Sequence, residues 1–81
     1  MTASSALVTG GSGYFGSLLR DRLHRDGQVV RTFDLVDADD RPSGVDFLQG
    51  DIRDSQRVGV ACARCQVIYH CVAQAVGAMG R

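Results

Sequence analysis

The stretch Thr9-Gly10-Gly11-Ser12-Gly13-Tyr14-Phe15-Gly16 joins an apolar run, Ala6-Leu7-Val8, to an amphipathic run that starts at Phe15. Strand, glycine-rich bend and helix in that order make a cradle for phosphate. Glycine tolerates backbone angles and close approaches that a Cβ forbids, while the first turn of the following helix offers unpaired N–H groups and the positive end of its dipole. Asp34 stands 18 residues beyond Gly16, close to the spacing of an acid that holds a ribose. Together the two features point to a dinucleotide. Gly10 then makes the turn, Gly13 admits the pyrophosphate, Gly16 lets the helix pack, and the N–H groups of Tyr14 and Phe15 donate, with Gly11 and Ser12 completing the loop. The plainer alternative is a tight loop that only lets a helix lie on a strand.

Working outward, strand and helix signals alternate. Ala6 to Thr9 reads as a first strand, and the helix after it sets Phe15, Leu18, Leu19 and Leu23 on one face with Arg20, Asp21, Arg25 and Asp26 elsewhere. Gly27 stops that helix. Gln28 to Leu35 carries the β-formers Val29, Val30, Thr32 and Phe33, and residues 37–44 are turn chemistry. Val45 to Gln49 reads as a third strand, followed by a second helix capped by Asp54 or Ser55, with Val58, Ala61, Cys62 and Cys65 on its apolar side. Gln66 to Val72 is a fourth strand, apolar enough to be covered on both faces in the sheet interior. The fold class is therefore α/β: a four-stranded parallel sheet in order 3-2-1-4 with helices on both faces, an incomplete doubly wound arrangement. The ends of strands one, two, three and four bring Gly10 to Gly16, Asp34, Asp51 and Ala73 to one crevice.

With 81 residues the chain has room for one small domain and a thin core. Nine arginines balance nine aspartates, with no lysine and no glutamate, so no basic stripe exists for a nucleic acid polymer and no amine exists to relay a proton. No apolar stretch is long enough to cross a membrane. The start, Met-Thr-Ala-Ser-Ser, lacks a secretory pattern, which makes the cytoplasm the expected location. Cys62, Cys65 and Cys71 are an odd count and are expected as free thiols.

Asp34 can accept hydrogen bonds from both ribose hydroxyls and repels a 2′-phosphate, which favours NAD over NADP; Arg31 and Arg41 are near enough in sequence to soften that preference. Cys62-Ala63-Arg64-Cys65 ends a helix rather than beginning one, so its thiols gain no acidity from the dipole, and no second ligand pair exists for a metal. It reads as small buried residues. His70 reads as structural and His24 as a surface residue.

On these residues the chain resembles the NAD-dependent epimerase/dehydratase family of extended short-chain dehydrogenases/reductases, whose cofactor domain is Rossmann-like. Residues 9–16 are similar to its Thr-Gly-Gly-x-Gly-Phe-hydrophobic-Gly signature, and Asp34 to its ribose acid. Gly50-Asp51-Ile52-Arg53-Asp54 resembles a segment whose first Asp and following residue hold adenine, which implies that role for Asp51 and Ile52. Ile68-Tyr69-His70-Cys71-Val72-Ala73-Gln74 is similar to the family's hydrophobic-aromatic-His strand, implying that Cys71, Val72 and Ala73 line the ribose and pyrophosphate crevice.

The family's chemistry uses a Tyr-x-x-x-Lys pair, whereas Tyr14 and Tyr69 are followed four residues later by Leu18 and Ala73. No catalytic residue is therefore assigned. The expectation is that residues 1–81 form one partial, N-terminal NAD(P)-binding domain without a substrate domain, from an enzyme acting on a nucleotide sugar or similar hydroxyl compound, inactive alone. The rival expectation is a stand-alone module that binds or senses NAD(H). The unpaired edge of strand four is expected to favour self-association.

Overall fold

The computed structural model describes residues 5–71. Within it β1 (Ser5–Thr9), α1 (Tyr14–Arg25), β2 (Val29–Asp34), β3 (Asp46–Gln49), α2 (Ser55–Cys62) and β4 (Val67–His70) follow one another, and the sheet is parallel in the order β3-β2-β1-β4. This is the expected Rossmann-type topology. No helix among the described residues is long and apolar enough to cross a membrane.

Alternation along β1 and β2 divides the core between the two faces. Ala6, Val8 and Val30 join Leu23 of α1 and Val45 on one side, while Leu7 and Phe33 join Ala61 of α2 on the other. The helices thus cover opposite faces. Each fully buried Leu, Val or Phe contributes about 1.5–3 kcal/mol, so the short list of such residues makes β1 and β2 the mechanical centre of the domain.

The helix boundaries follow local chemistry. α1 ends where Gly27 adopts φ +87° and donates its N–H to the His24 carbonyl, as a left-handed residue after a helix does. α2 begins at Asp54, whose carboxylate accepts from the Arg57 N–H at 3.2 Å, so Asp54 rather than Ser55 is the cap. At the other end of α2, Arg31 of β2 donates to the Ala61 carbonyl at 3.1 Å and pairs with Asp46 at 3.0 Å.

Four expectations are corrected. Arg20, placed by its charge on the outer side of α1, is 1% exposed, paired with Asp21 at 2.8 Å and reaching Asp40 at 3.5 Å. Burial opposes its charge, but the two carboxylates outweigh that and raise its pKa above the ordinary arginine value. Its long stem fills space beside the sheet while its head pins the β2–β3 loop. Phe15, read as core-facing, is 75% exposed, and Leu18 is exposed too, because the glycine loop lifts the first turn of α1 beyond the edge of the core. β4 is not covered on both faces: among the described residues it pairs with β1 alone, and Val67 and Ile68 are exposed. α2 packs through Ala61 on Leu7 of β1 and Phe33 of β2. His24, expected at the surface, is half-buried beside Gly44.

Candidate nucleotide site

β1 runs into Gly10, whose N–H continues the ladder by donating to the Phe33 carbonyl at 2.8 Å. There the chain turns. Gly10 has φ +74°, a conformation that favours glycine, and its carbonyl accepts from the Gly13 N–H at 3.0 Å. Gly16 is held against this turn so closely that a Cβ on it would sit 2.0 Å from the Gly10 carbonyl oxygen, while a Cβ on Gly11 would meet the Thr32 side chain at 2.5 Å. A Cβ on Gly13 would meet only the Gly10 oxygen, at 3.4 Å, so on this glycine the protein itself makes little demand.

The two helix beginnings differ. α2 is capped by its own Asp54, whereas at α1 the N-cap is Gly13, no side chain caps it, and its first turn holds no acid. The leading N–H groups of α1, those of Tyr14 and Phe15 among them, are therefore donors that no side chain among the described residues satisfies. Tyr14 and Phe15 hold their rings outward, in an edge-to-face pair 5.1 Å apart.

Asp34 closes the far side of the loop. Its Oδ2 accepts from the Ser12 N–H at 3.1 Å and its Oδ1 from the Leu35 N–H at 2.7 Å, while the Ser12 hydroxyl donates to the Val36 carbonyl. Ser12 thus spends both polar groups on fixing the acid and the chain beyond it. Next to Asp34 opens a cleft of about 280 Å³ lined by Phe33, Asp34, Leu35, Gly50, Asp51, Ile52 and Arg53. Apolar walls and two carboxylates suit a flat base with its sugar, and the volume is near the lower end of small-molecule sites, roughly 300–1,000 Å³. Gly50 keeps the cleft open, since a Cβ there would lie 2.5 Å from the Phe33 ring and 2.6 Å from the Arg57 side chain.

Asp51 is gripped by Arg53. The Arg53 N–H and guanidinium donate to both its oxygens, and these bonds, the side-chain ones first, hold the Asp51 carboxyl down at about 2. Arg31 and Arg41, read as possible softeners of the cofactor preference, are both engaged elsewhere: Arg31 with Asp46 and α2, Arg41 with Asp37 at 2.8 and 2.9 Å and with the Val45 carbonyl.

At the β1–β4 junction the Cys71 N–H donates to the Thr9 carbonyl at 2.9 Å and Cys71 packs on the α1-side core. His70 is fastened by its Nδ1, 2.8 Å from the Thr9 hydroxyl. Val72 and Ala73 lie outside the described residues. Cys62 and Cys65 are free and pack beneath α2, where burial pushes the Cys65 thiol up, and no metal-binding group of His, Cys or Asp is formed among the described residues. The reading of the sequence missed Phe33, Leu35, Gly50 and Arg53 as cleft residues. Arg53 stands inside the quoted segment 50–54, and Phe33 and Leu35 flank Asp34, so adjacency to the named acids was the available signal.

A family model, NAD dependent epimerase/dehydratase, matches residues 6–81. The chain belongs to that family. It is 46% identical over 70 residues to an uncharacterised protein of Sinorhizobium fredii, covering 86% of this chain and 18% of that one. Among solved structures it is similar to uronate dehydrogenase from Agrobacterium tumefaciens complexed with NAD, at 30% identity and TM-score 0.73 over 85% of this chain and 26% of that one. It is also similar to UDP-glucose 4-epimerase with UDP-glucose from Thermotoga maritima, at 27% identity and TM-score 0.73 over 88% of this chain and 25% of that one. The chain spans less than a fifth of the length of the curated relatives it matches.

Proposed function

We propose that this chain binds NAD by its adenosine diphosphate half, as the cofactor-binding part of an oxidoreductase or epimerase acting on a nucleotide sugar or a related hydroxyl-bearing substrate. The observation that carries the reading is the hydrogen bond from the Ser12 N–H to Asp34, which makes the glycine loop and the ribose acid two sides of one site. The diphosphate would lie on the open amides of α1, the ribose on Asp34, and the base in the cleft between Leu35 and Ile52. When bound, NAD supplies the hydride acceptor; this chain's residues bind and orient it. The substrate class is suggested by the relatives named for a uronate and for UDP-glucose.

NAD is favoured over NADP because Asp34 is an anion at the 2′ position, and because Arg31 and Arg41 are tied to Asp46 and Asp37. The free thiols fit a reducing compartment, the cytoplasm. The chain has no lysine to lower the pKa of a catalytic tyrosine, so hydride transfer by the 81 residues alone is not expected.

Calorimetric titration with NAD and NADP, on the unaltered chain and on Asp34→Ala, tests the proposal. NAD should bind more tightly than NADP and raise the melting temperature by mass action, about 2.7 kcal/mol of stabilisation at a hundredfold excess over Kd. Asp34→Ala should weaken NAD and narrow the gap. Equal loss of both cofactors, or no binding by the unaltered chain, would remove the proposal. NADH formation from an alcohol by the chain alone would show that it is more than a binding part.

A further inference from the structure

Cys62-Ala63-Arg64-Cys65 closes α2 with more order than a run of small residues needs. Ala63 has φ −59° and ψ 127°, Arg64 has φ 65°, and the Cys65 N–H donates to the Cys62 carbonyl at 3.0 Å, a type II turn with one cysteine at each end. Glycine is the usual third residue of such a turn. Arg64 is the only residue other than glycine with a left-handed φ among the described residues, so the turn stands against the preference of its own side chain. Neighbouring strands hold it there. The Ser5 hydroxyl donates to the Arg64 carbonyl, the Gln66 N–H donates to the Ser5 carbonyl at 2.9 Å, and the Arg31 guanidinium donates to the Ala61 carbonyl at 3.1 Å. The ends of a β-turn lie within about 7 Å of each other between Cα atoms, and a disulfide spans about 4.4–6.8 Å. Both cysteine side chains also pack against one apolar cluster, Leu7, Phe33 and Ala61, so they converge on the same side of the turn.

We infer that Cys62 and Cys65 form a redox site, a dithiol that the fold holds ready to close into a disulfide by exchange with a low-molecular-weight disulfide such as oxidised glutathione. The inference goes beyond nucleotide binding and does not depend on it. The turn leads into the start of β4, whereas the glycine loop and Asp34 lie at the opposite ends of the parallel strands. In the first step the Cys62 thiolate attacks one sulfur of the oxidant, which forms a mixed disulfide and expels one glutathione thiolate. The Cys65 thiolate then attacks the Cys62 sulfur and expels the second. The two protein thiols give up two protons and two electrons, and the oxidant is reduced to two thiols. Burial pushes the Cys65 thiol up, which suits it to the second, intramolecular step. Both cysteines are half-buried while Ala63 and Arg64 are exposed, so a small disulfide can reach the turn. Cys71 does not compete, because it packs on the α1-side core across the sheet.

The test equilibrates the 81-residue chain, in buffer and in urea, with mixtures of reduced and oxidised glutathione, blocks the remaining thiols by alkylation, and reads the products by mass spectrometry with peptide mapping. In buffer the chain should join Cys62 to Cys65 and leave Cys71 alkylated, with dithiothreitol reversing the change. The equilibrium constant in buffer should exceed that in urea by about tenfold or more, because the preformed turn raises the effective concentration of one thiol at the other. Cys71→Ser should behave as the parent. Cys65→Ser should stop at the mixed disulfide on Cys62. Equal constants in buffer and in urea would overturn the inference, since the spacing alone would then be the cause. Glutathione held on either cysteine of the unaltered chain without ring closure would overturn it too, as would a disulfide to Cys71 or to a second chain. Each of these results would leave the nucleotide site standing.

Discussion

Replacing Gly16 by alanine puts the central contact of the site under strain. The new Cβ would lie 2.0 Å from the Gly10 carbonyl oxygen, 2.8 Å from its carbonyl carbon and 2.9 Å from the Gly11 Cα, all backbone atoms that no rotamer change can move aside. Ordinary contact begins near 3.4 Å, so α1 and the loop must part by about 1.4 Å at the closest point. Forcing volume into a packed contact costs about 1–3 kcal/mol, against which alanine regains at most about 1 kcal/mol of helix propensity. At about 4–8 °C per kcal/mol for a domain of this size, the melting temperature should fall by roughly 5–15 °C. Gly59→Ala is the matched control: it too is a helix glycine, but nothing lies within 4 Å of its Cβ position, so it should gain about 0.5–1 kcal/mol and melt a few degrees higher. Circular dichroism melts of both variants, with and without NAD, decide it. Gly16→Ala should also weaken NAD about tenfold or more, because the α1 amides and Asp34 lose their common geometry. If Gly16→Ala melts at or above the parent temperature and binds NAD unchanged, the reasoning about this loop is wrong.

Asp54→Ala removes the α2 cap and should cost about 0.5–2 kcal/mol in a urea titration, with NAD affinity nearly unchanged. Arg20→Met should stay within about 1 kcal/mol of the parent, because an apolar chain fills the same space and its carboxylate partners are exposed, whereas Arg20→Ala should cost about 2 kcal/mol or more through lost packing. Asp51 and Asp37 both have pKa values lowered by paired arginines, so their contribution to stability is complete above the ordinary carboxylate value near 3.8 and is lost as pH falls through the folded values. Urea midpoints should accordingly be level above about pH 5 and drop below it, less steeply in Asp51→Asn than in the parent. We propose that the edge of β4, which pairs with β1 alone among the described residues, pairs with a second copy of the chain; sedimentation should show concentration-dependent association that Ile68→Lys reduces, and a monomer at all concentrations would exclude it.

Element order and sheet order were legible because each depends on short-range chemistry: an apolar run, a glycine bend, a 3.6-residue period, a capping aspartate. Burial was less so. The run Val67-Ile68-Tyr69 has the composition of a central strand, but whether a strand is covered depends on which helix passes above it, and α2 passes over β1 and β2. Arg20 fails the rule that charge faces water for a related reason. Its partner Asp40 stands 20 residues away in a loop without regular structure, and no local pattern says where that loop lands.

The site itself follows from register. In the β1–β2 ladder Thr9 stands opposite Phe33, so the next residues, Gly10 and Asp34, leave the sheet at the same height. In the β2–β3 ladder Asp34 stands opposite Gln49, which brings Gly50 and Asp51 out beside Leu35. Because the strands are parallel, all three exits point the same way, and a loop only two residues long from Gly10 carries the Ser12 N–H onto Asp34. The glycines and the acids could be named from the sequence, but their meeting needed a register, which a one-residue slip in either ladder would have changed. Such a slip would also turn Phe33 out from beneath Gly50 and Leu7 away from Ala61. The core that fixes the register therefore also places the Gly10 loop, Asp34 and Asp51 around one cleft, so mutations in Leu7, which is buried and does not line that cleft, should disturb nucleotide binding without touching the nucleotide.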